Sequence, residues 1–171
     1  RQRQMCIRDR LHGVENFDTD YIEALLIATV DAALVLQNVA LAKESHGLGI
    51  CMIGAIRIHP KAVGKLLNLP PLVYALAGLC LGYPAKDQQQ KPRLPLETIL
   101  HHERYPEDDQ QINHIKRYDQ TMVEFYSSQA MHDKDPRWSK VMAARTARFH
   151  ERAELDEYLS DQGFHFKPST P

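Results

Sequence analysis

Two stretches of the chain carry residue types whose spacing could do chemistry. In Gly47-Leu-Gly-Ile-Cys-Met-Ile-Gly-Ala-Ile-Arg57, an apolar run is bracketed by glycines and closed by a cation. That pattern predicts a helix stop, a buried strand over 50–53 and a turn with open backbone. Gly54 either satisfies the turn or makes room for a flat or phosphorylated ligand. Downstream, Lys91-Pro-Arg93 sets two cations around a proline, in a polar segment over 84–95. It is either a solvated linker or a small anion site working through charge-assisted hydrogen bonds. The adjacent His101 and His102 point in different directions on most backbones, so surface histidines are expected rather than a shared metal. No CxxC or HExxH spacing occurs, and no Ser/His/Asp or Cys/His arrangement suggests a nucleophile.

These stretches need elements to position them. Asp18 and Asp20 offer N-cap candidates and first-turn acids ahead of a helix predicted over 21–44, roughly 35 Å long. Its apolar residues, among them Leu25, Leu26, Val30, Leu34, Val39 and Leu41, lie all round. Such a helix is buried in a core, at a subunit interface or in a membrane. Glu23, Asp31, Gln37 and Asn38 interrupt the run and argue against the bilayer. His59-Pro60 starts a short helix over 60–67, and Pro70-Pro71 breaks the chain. The apolar run over 73–83 suits a strand buried on both faces, at the centre of a sheet. Ile112, Ile115, Tyr118, Met122, Phe125 and Tyr126 recur at helical spacing. Pro136-Arg-Trp138 opens a further helix through about His150, and a last helix around Leu155 and Tyr158 is closed by Gly163. Phe164 and Phe166 alternate as a short terminal strand would, ahead of a frayed tail over 168–171.

Composition sets outer bounds. With 171 residues, 43% apolar and 25% charged, the chain suits one soluble globular domain. A formal net charge of -1 gives no global attraction to nucleic acid or to an anionic membrane. Cys6, Cys51 and Cys80 are an odd, widely spaced set; the latter two sit in apolar runs and are expected as buried thiols in a reducing compartment. The first ten residues hold four arginines and no apolar period, and resemble a translated adapter more than a protein segment. They are set aside as non-native, leaving 11–167 as a domain whose N-terminal part is missing and 168–171 as its tail.

Three ordered blocks resemble one known family. They are VDAALVLQNVALAKESHGLGICMIGAIRIHP, VGKLLNLPPLVYALAGLCLGYPA and KPRLPLETILHHERY. Together they closely resemble the flavin-dependent nitroreductases, in the branch of oxygen-insensitive NADPH nitroreductases and flavin reductases. Tyr118-Asp119, Trp138-Ser139, Arg152 and Leu159-Ser-Asp-Gln-Gly-Phe164 extend the match, which runs from about Leu11 to Phe166.

The resemblance implies an α+β, FMN-binding fold with a central sheet flanked by helices, a long core helix at a homodimer interface and a helical C-terminal part. It implies that Met52, Ile53, Gly54 and Ala55 lie against the flavin and that Lys91 and Arg93 meet its phosphate side. Arg152 falls near the substrate and nicotinamide pocket, and Lys134 where the family carries cations for the NADPH phosphate. No catalytic side chain and no metal is implied. The implied activity is ping-pong transfer of hydride from NADPH or NADH through FMN to nitroaromatics, quinones or flavin, in the cytoplasm, without nucleic-acid or membrane partners. The alternatives are a dedicated FMN reductase, or a truncated, non-catalytic fragment acting only as a dimerising scaffold. The chain departs from the family in Ala55, where a second glycine is usual, and near Gln129, where an arginine is expected. Asp133 and Asp135 flank Lys134, and the family's N-terminal FMN-binding arginine and serine motif lies upstream of anything matched here.

Overall fold

A computed structural model describes residues 2–13, 21–86, 89–129 and 135–166. They form two compact units, Arg1–Lys86 with Glu151–Pro171, and Asp87–His150. Asp18 and Asp20, like the tail over 168–171, lie outside the described residues.

In the first unit, α1 spans Gln2–Leu11 and α2 spans Ile22–Glu44. Helix α1 lies over the residues set aside as non-native, where no element was expected. The N-cap of α2 is Tyr21, which makes no side-chain capping bond. Leu41, Lys43 and Glu44 carbonyls take the amides of Ser45, His46, Gly47 and Leu48, and Gly47 reaches φ +75, so the chain leaves the helix through a left-handed glycine. Only Ala40 of α2 is buried within the chain. Ile22, Leu26, Val30, Leu34 and Leu41 are all exposed, on a helix long and apolar enough to cross a membrane by length and composition.

Strand β1, Gly49–Ile53, pairs antiparallel with β2, Gly78–Gly82, from Gly49 opposite Gly82 to Ile53 opposite Gly78. Among the described residues this two-stranded ribbon is the whole sheet. The run over 73–83 was expected as one continuous buried strand. Only its second half pairs, bounded by Gly78 and Gly82, and residues 80–82 are exposed. Cys51 and Cys80, expected as buried thiols, are free and exposed.

The first half of that run is bound from the other end of the chain. The Leu72 amide donates to the Gln162 carbonyl (2.8 Å), and the Gln162 side-chain amide, oriented to satisfy both ends, donates to the carbonyls of Pro70 and Val73. Tyr74 shares a 2.6 Å hydrogen bond with Thr29 of α2 and meets Phe164 edge to face at 5.8 Å. Phe164 is therefore a buried anchor in irregular chain, and the terminal strand expected over Phe164 and Phe166 is not formed.

Helix α3, Pro60–Leu66, begins on a proline at its first turn, where a missing amide costs nothing. It packs on α6, Glu154–Asp161, with Gly64 against Tyr158 and Lys61 paired to Glu157 (2.7 Å) and Asp161 (3.5 Å). Gly163, at φ +92, and Phe164 close α6 onto the Ser160 and Leu159 carbonyls.

The second unit holds α4, Asp108–Ser128, and α5, Trp138–Thr146. The expected period puts Tyr118 and Met122 of α4 inside, Met122 at 1% exposure. Helix α5 ends at Thr146, four residues short of the expected His150, and a 3-10 turn, Phe149–Arg152, follows. Its N-terminus is capped from another helix: the Asp119 carboxylate accepts the Ser139 amide (2.8 Å) and the Ser139 hydroxyl (2.5 Å). Asp119 is 8% exposed, so both bonds are charge-assisted and shielded. Replacing Asp119 by alanine is expected to cost about 2 kcal/mol, measurable as a fall in the unfolding midpoint. An unchanged midpoint would show that the cap contributes nothing.

Candidate functional site

Strand β1 delivers Met52 and Ile53 into Gly54, which opens a 3-10 turn, Ala55–Arg57. The turn is held from its far end. The Arg57 guanidinium donates to the Leu76 carbonyl, and the Arg57 amide closes the turn on the Gly54 carbonyl (3.3 Å). Gly54 has an ordinary φ of -82, so it is not needed for conformation. It supplies space: a Cβ there would sit 3.3 Å from Nη2 of Arg57. Ala55 and Ile56 start the turn, and their amides have no partner inside it. Met52 and Ala55 are exposed, while Ile53 and Gly54 are half-buried. The result is a short stretch of backbone with donors, little side-chain cover and a cation behind it. That surface suits the edge of a flat, acceptor-rich ring such as a flavin.

In the second unit, Lys91 and Arg93 are exposed on either side of Pro92. The segment is pinned from behind, since the Tyr118 hydroxyl donates to the Pro92 carbonyl (2.9 Å) and Tyr118 in turn packs on Trp138 at 5.6 Å. Lys91 Nζ stands 5.3 Å over the Tyr126 ring, which orients it without neutralising it. Among the described residues no carboxylate lies within ion-pair distance of either cation. An exposed, uncompensated pair on an anchored backbone fits a phosphate.

Arg152 ends the 3-10 turn that leads into α6 and is half-buried. Lys134 lies outside the described residues. Its neighbour Asp135 is already engaged: its carboxylate accepts the Arg137 amide and guanidinium and the Lys140 ammonium (3.0 Å). Those hydrogen bonds, from Arg137 first and Lys140 second, hold its carboxyl well below the usual range. Met52, Ile53, Gly54, Ala55 and Arg152 thus belong to the first unit, and Lys91 and Arg93 to the second.

Some features escaped the sequence. Tyr118 and Tyr126 looked like core positions of a periodic helix, yet one anchors Pro92 and the other carries Lys91. A cavity of about 500 Å³ in the second unit is lined by Glu97, His101, Arg104, Gln111 and His114, among others. Gln111 Nε2 and His114 Nδ1 have no partner there. Its only sequence signal is a histidine-rich turn followed by polar residues three apart on α4.

The nitroreductase family model matches residues 23–83, and the model of the nitroreductase family's C-terminal domain matches residues 91–167. The chain belongs to the nitroreductase family. Within that family it is 36% identical over 154 residues to a Bacillus subtilis FMN reductase, NAD(P)H-dependent by name, covering 90% of this chain and 61% of that protein. It is 39% identical over 142 residues to an oxygen-insensitive NADPH nitroreductase of Salmonella typhimurium, covering 83% of this chain and 58% of that protein. The solved structure of NfrA2 from B. megaterium superposes with a TM-score of 0.90 at 32% identity, over 97% of this chain and 66% of that one. The fold is therefore the nitroreductase fold. The chain spans about three fifths of the length of these curated relatives.

Proposed function

We propose that this chain is part of an FMN-dependent NAD(P)H oxidoreductase that reduces nitroaromatics, quinones or free flavin. The observation that carries the proposal is the open backbone turn at Gly54, in a chain of this family. Residues 11–167 are a partial nitroreductase-like domain that contributes some of the flavin-binding residues. Met52, Ile53, Gly54 and Ala55 present backbone to the ring, and Lys91 and Arg93 bind the phosphate. Arg152 orients nicotinamide or acceptor, and Lys134 meets the phosphate of NADPH. FMN, when bound, supplies the hydride chemistry; these side chains bind, orient and tune, and none acts as nucleophile or general acid. The names of the relatives, FMN reductase and NADPH nitroreductase, support this chemistry.

The exposed apolar length of α2 fits a homodimer interface better than a bilayer, because Glu23 and Asp31 interrupt it and Asp31 already has an interaction within the chain. A cytoplasmic homodimer is the corresponding proposal. Titrating the purified chain with FMN is expected to quench flavin fluorescence to saturation, and NADPH or NADH should then bleach the bound flavin. A chain that takes up no FMN would defeat the enzyme reading of this chain by itself in favour of a non-catalytic dimerising scaffold. Comparing turnover of a nitrofuran with that of free FMN separates the nitroreductase from the dedicated FMN reductase.

A further inference from the structure

Cys51 and Cys80 stand directly opposite each other in the β1–β2 ladder, and both are free and exposed. Directly opposed residues of an antiparallel pair have Cα atoms about 4.5 or 5.5 Å apart, according to whether they exchange hydrogen bonds. Both distances fall within the roughly 4.4–6.8 Å that a disulfide spans. Opposed residues also project from the same face of the ribbon, so the two Cβ atoms are neighbours there. Thiols 29 positions apart in sequence are thereby held as a vicinal pair by strand register, 80 against 51.

We infer that Cys51 and Cys80 form a reversible dithiol–disulfide site that reacts with low-molecular-weight disulfides. The exchange balances in two steps. The thiolate of one cysteine attacks a sulfur of the small disulfide, forming a mixed disulfide and releasing one small thiolate, which takes up a proton. The thiolate of the opposed cysteine then attacks the protein sulfur of that mixed disulfide and expels the second small thiol. Two protein thiols are oxidised to one disulfide, and one small disulfide is reduced to two thiols. A bond on an exposed two-stranded ribbon belongs to the labile, readily reduced class rather than the structural one. It would tie β1 to β2 just before Met52 and the Gly54 turn, a consequence independent of whether that turn binds flavin.

The test uses the full chain in a Cys6→Ser background, so that only the inferred pair can react. The protein is incubated with oxidised glutathione, quenched with acid, treated with N-ethylmaleimide and weighed intact. The expected product carries no glutathione and no maleimide, has lost two hydrogens, and gives a linked Cys51–Cys80 peptide on digestion. Dithiothreitol should return both thiols to the reagent. With Cys80→Ser added, the same treatment should stop at a single glutathionyl group on Cys51. Two glutathionyl groups on the parent, full maleimide labelling, or a link between two chains would each overturn the inference.

Discussion

Replacing Lys91 and Arg93 together by alanine is expected to weaken FMN binding about a hundredfold while leaving the fold intact. A hydrogen bond to a charged group contributes about 1.5–3 kcal/mol, and exposed groups sit at the lower end of that range. Two such bonds give about 3 kcal/mol, which is roughly a factor of 100 in the dissociation constant. The stability cost is smaller because both side chains are exposed and neither has an ion-pair partner among the described residues. What the pair loses within the chain is the contact of Lys91 with the Tyr126 ring, about 0.5–1 kcal/mol at an exposed site. Fluorescence titration of the double variant measures the first effect and thermal unfolding the second. FMN binding at unchanged affinity would remove these two residues from the phosphate site. Binding and midpoint falling together would make the segment structural instead.

Replacing Gly64 by alanine should be the most damaging single methyl group in the first unit. In an isolated helix that change is favourable by about 1 kcal/mol. Here the new Cβ would lie 2.2 Å from the Tyr158 hydroxyl oxygen and 2.9 Å from its Cζ, so α3 and α6 must part or the ring must move. Overpacking of this kind costs about 1–3 kcal/mol, and ejecting a tyrosine that is 5% exposed adds lost burial. A net loss of about 2 kcal/mol corresponds to a fall of about 5 °C in the unfolding midpoint for a domain of this size. Tyr158→Phe separates the causes. The Tyr158 hydroxyl is buried without a partner, and burial pushes its pKa up. Removing it should be neutral or stabilising on its own, and in the Gly64→Ala background it should restore part of the midpoint. A Gly64→Ala chain as stable as the parent would mean that α3 and α6 do not pack as closely as these distances state.

Where sequence and structure agree, the physical cause is local. Ile112 to Tyr126 repeat at the helical period, and a helix forms over Asp108–Ser128 because a period needs only neighbours in sequence. Gly47 and Gly163 end their helices at positive φ, as residues without a Cβ can. Where they differ, the cause is a partner distant in sequence. The apolar run over 73–83 could not reveal which half would pair, and the answer lies with β1 and with Gln162. The same holds for Phe164, which alternates like a strand residue and instead packs on Tyr74.

The candidate site divides along the same line. The chain's own residues showed the types and spacings from which the candidate site is read: a glycine turn, two cations around a proline, and three ordered blocks that resemble the nitroreductases. Only the tertiary structure decided that Gly54 provides room beside Arg57, that Pro92 hangs from Tyr118, and that Asp119 caps α5 from α4. It alone set Cys51 opposite Cys80. Composition and period fix what a segment can form by itself, whereas register and packing depend on separations between segments that a linear pattern does not contain.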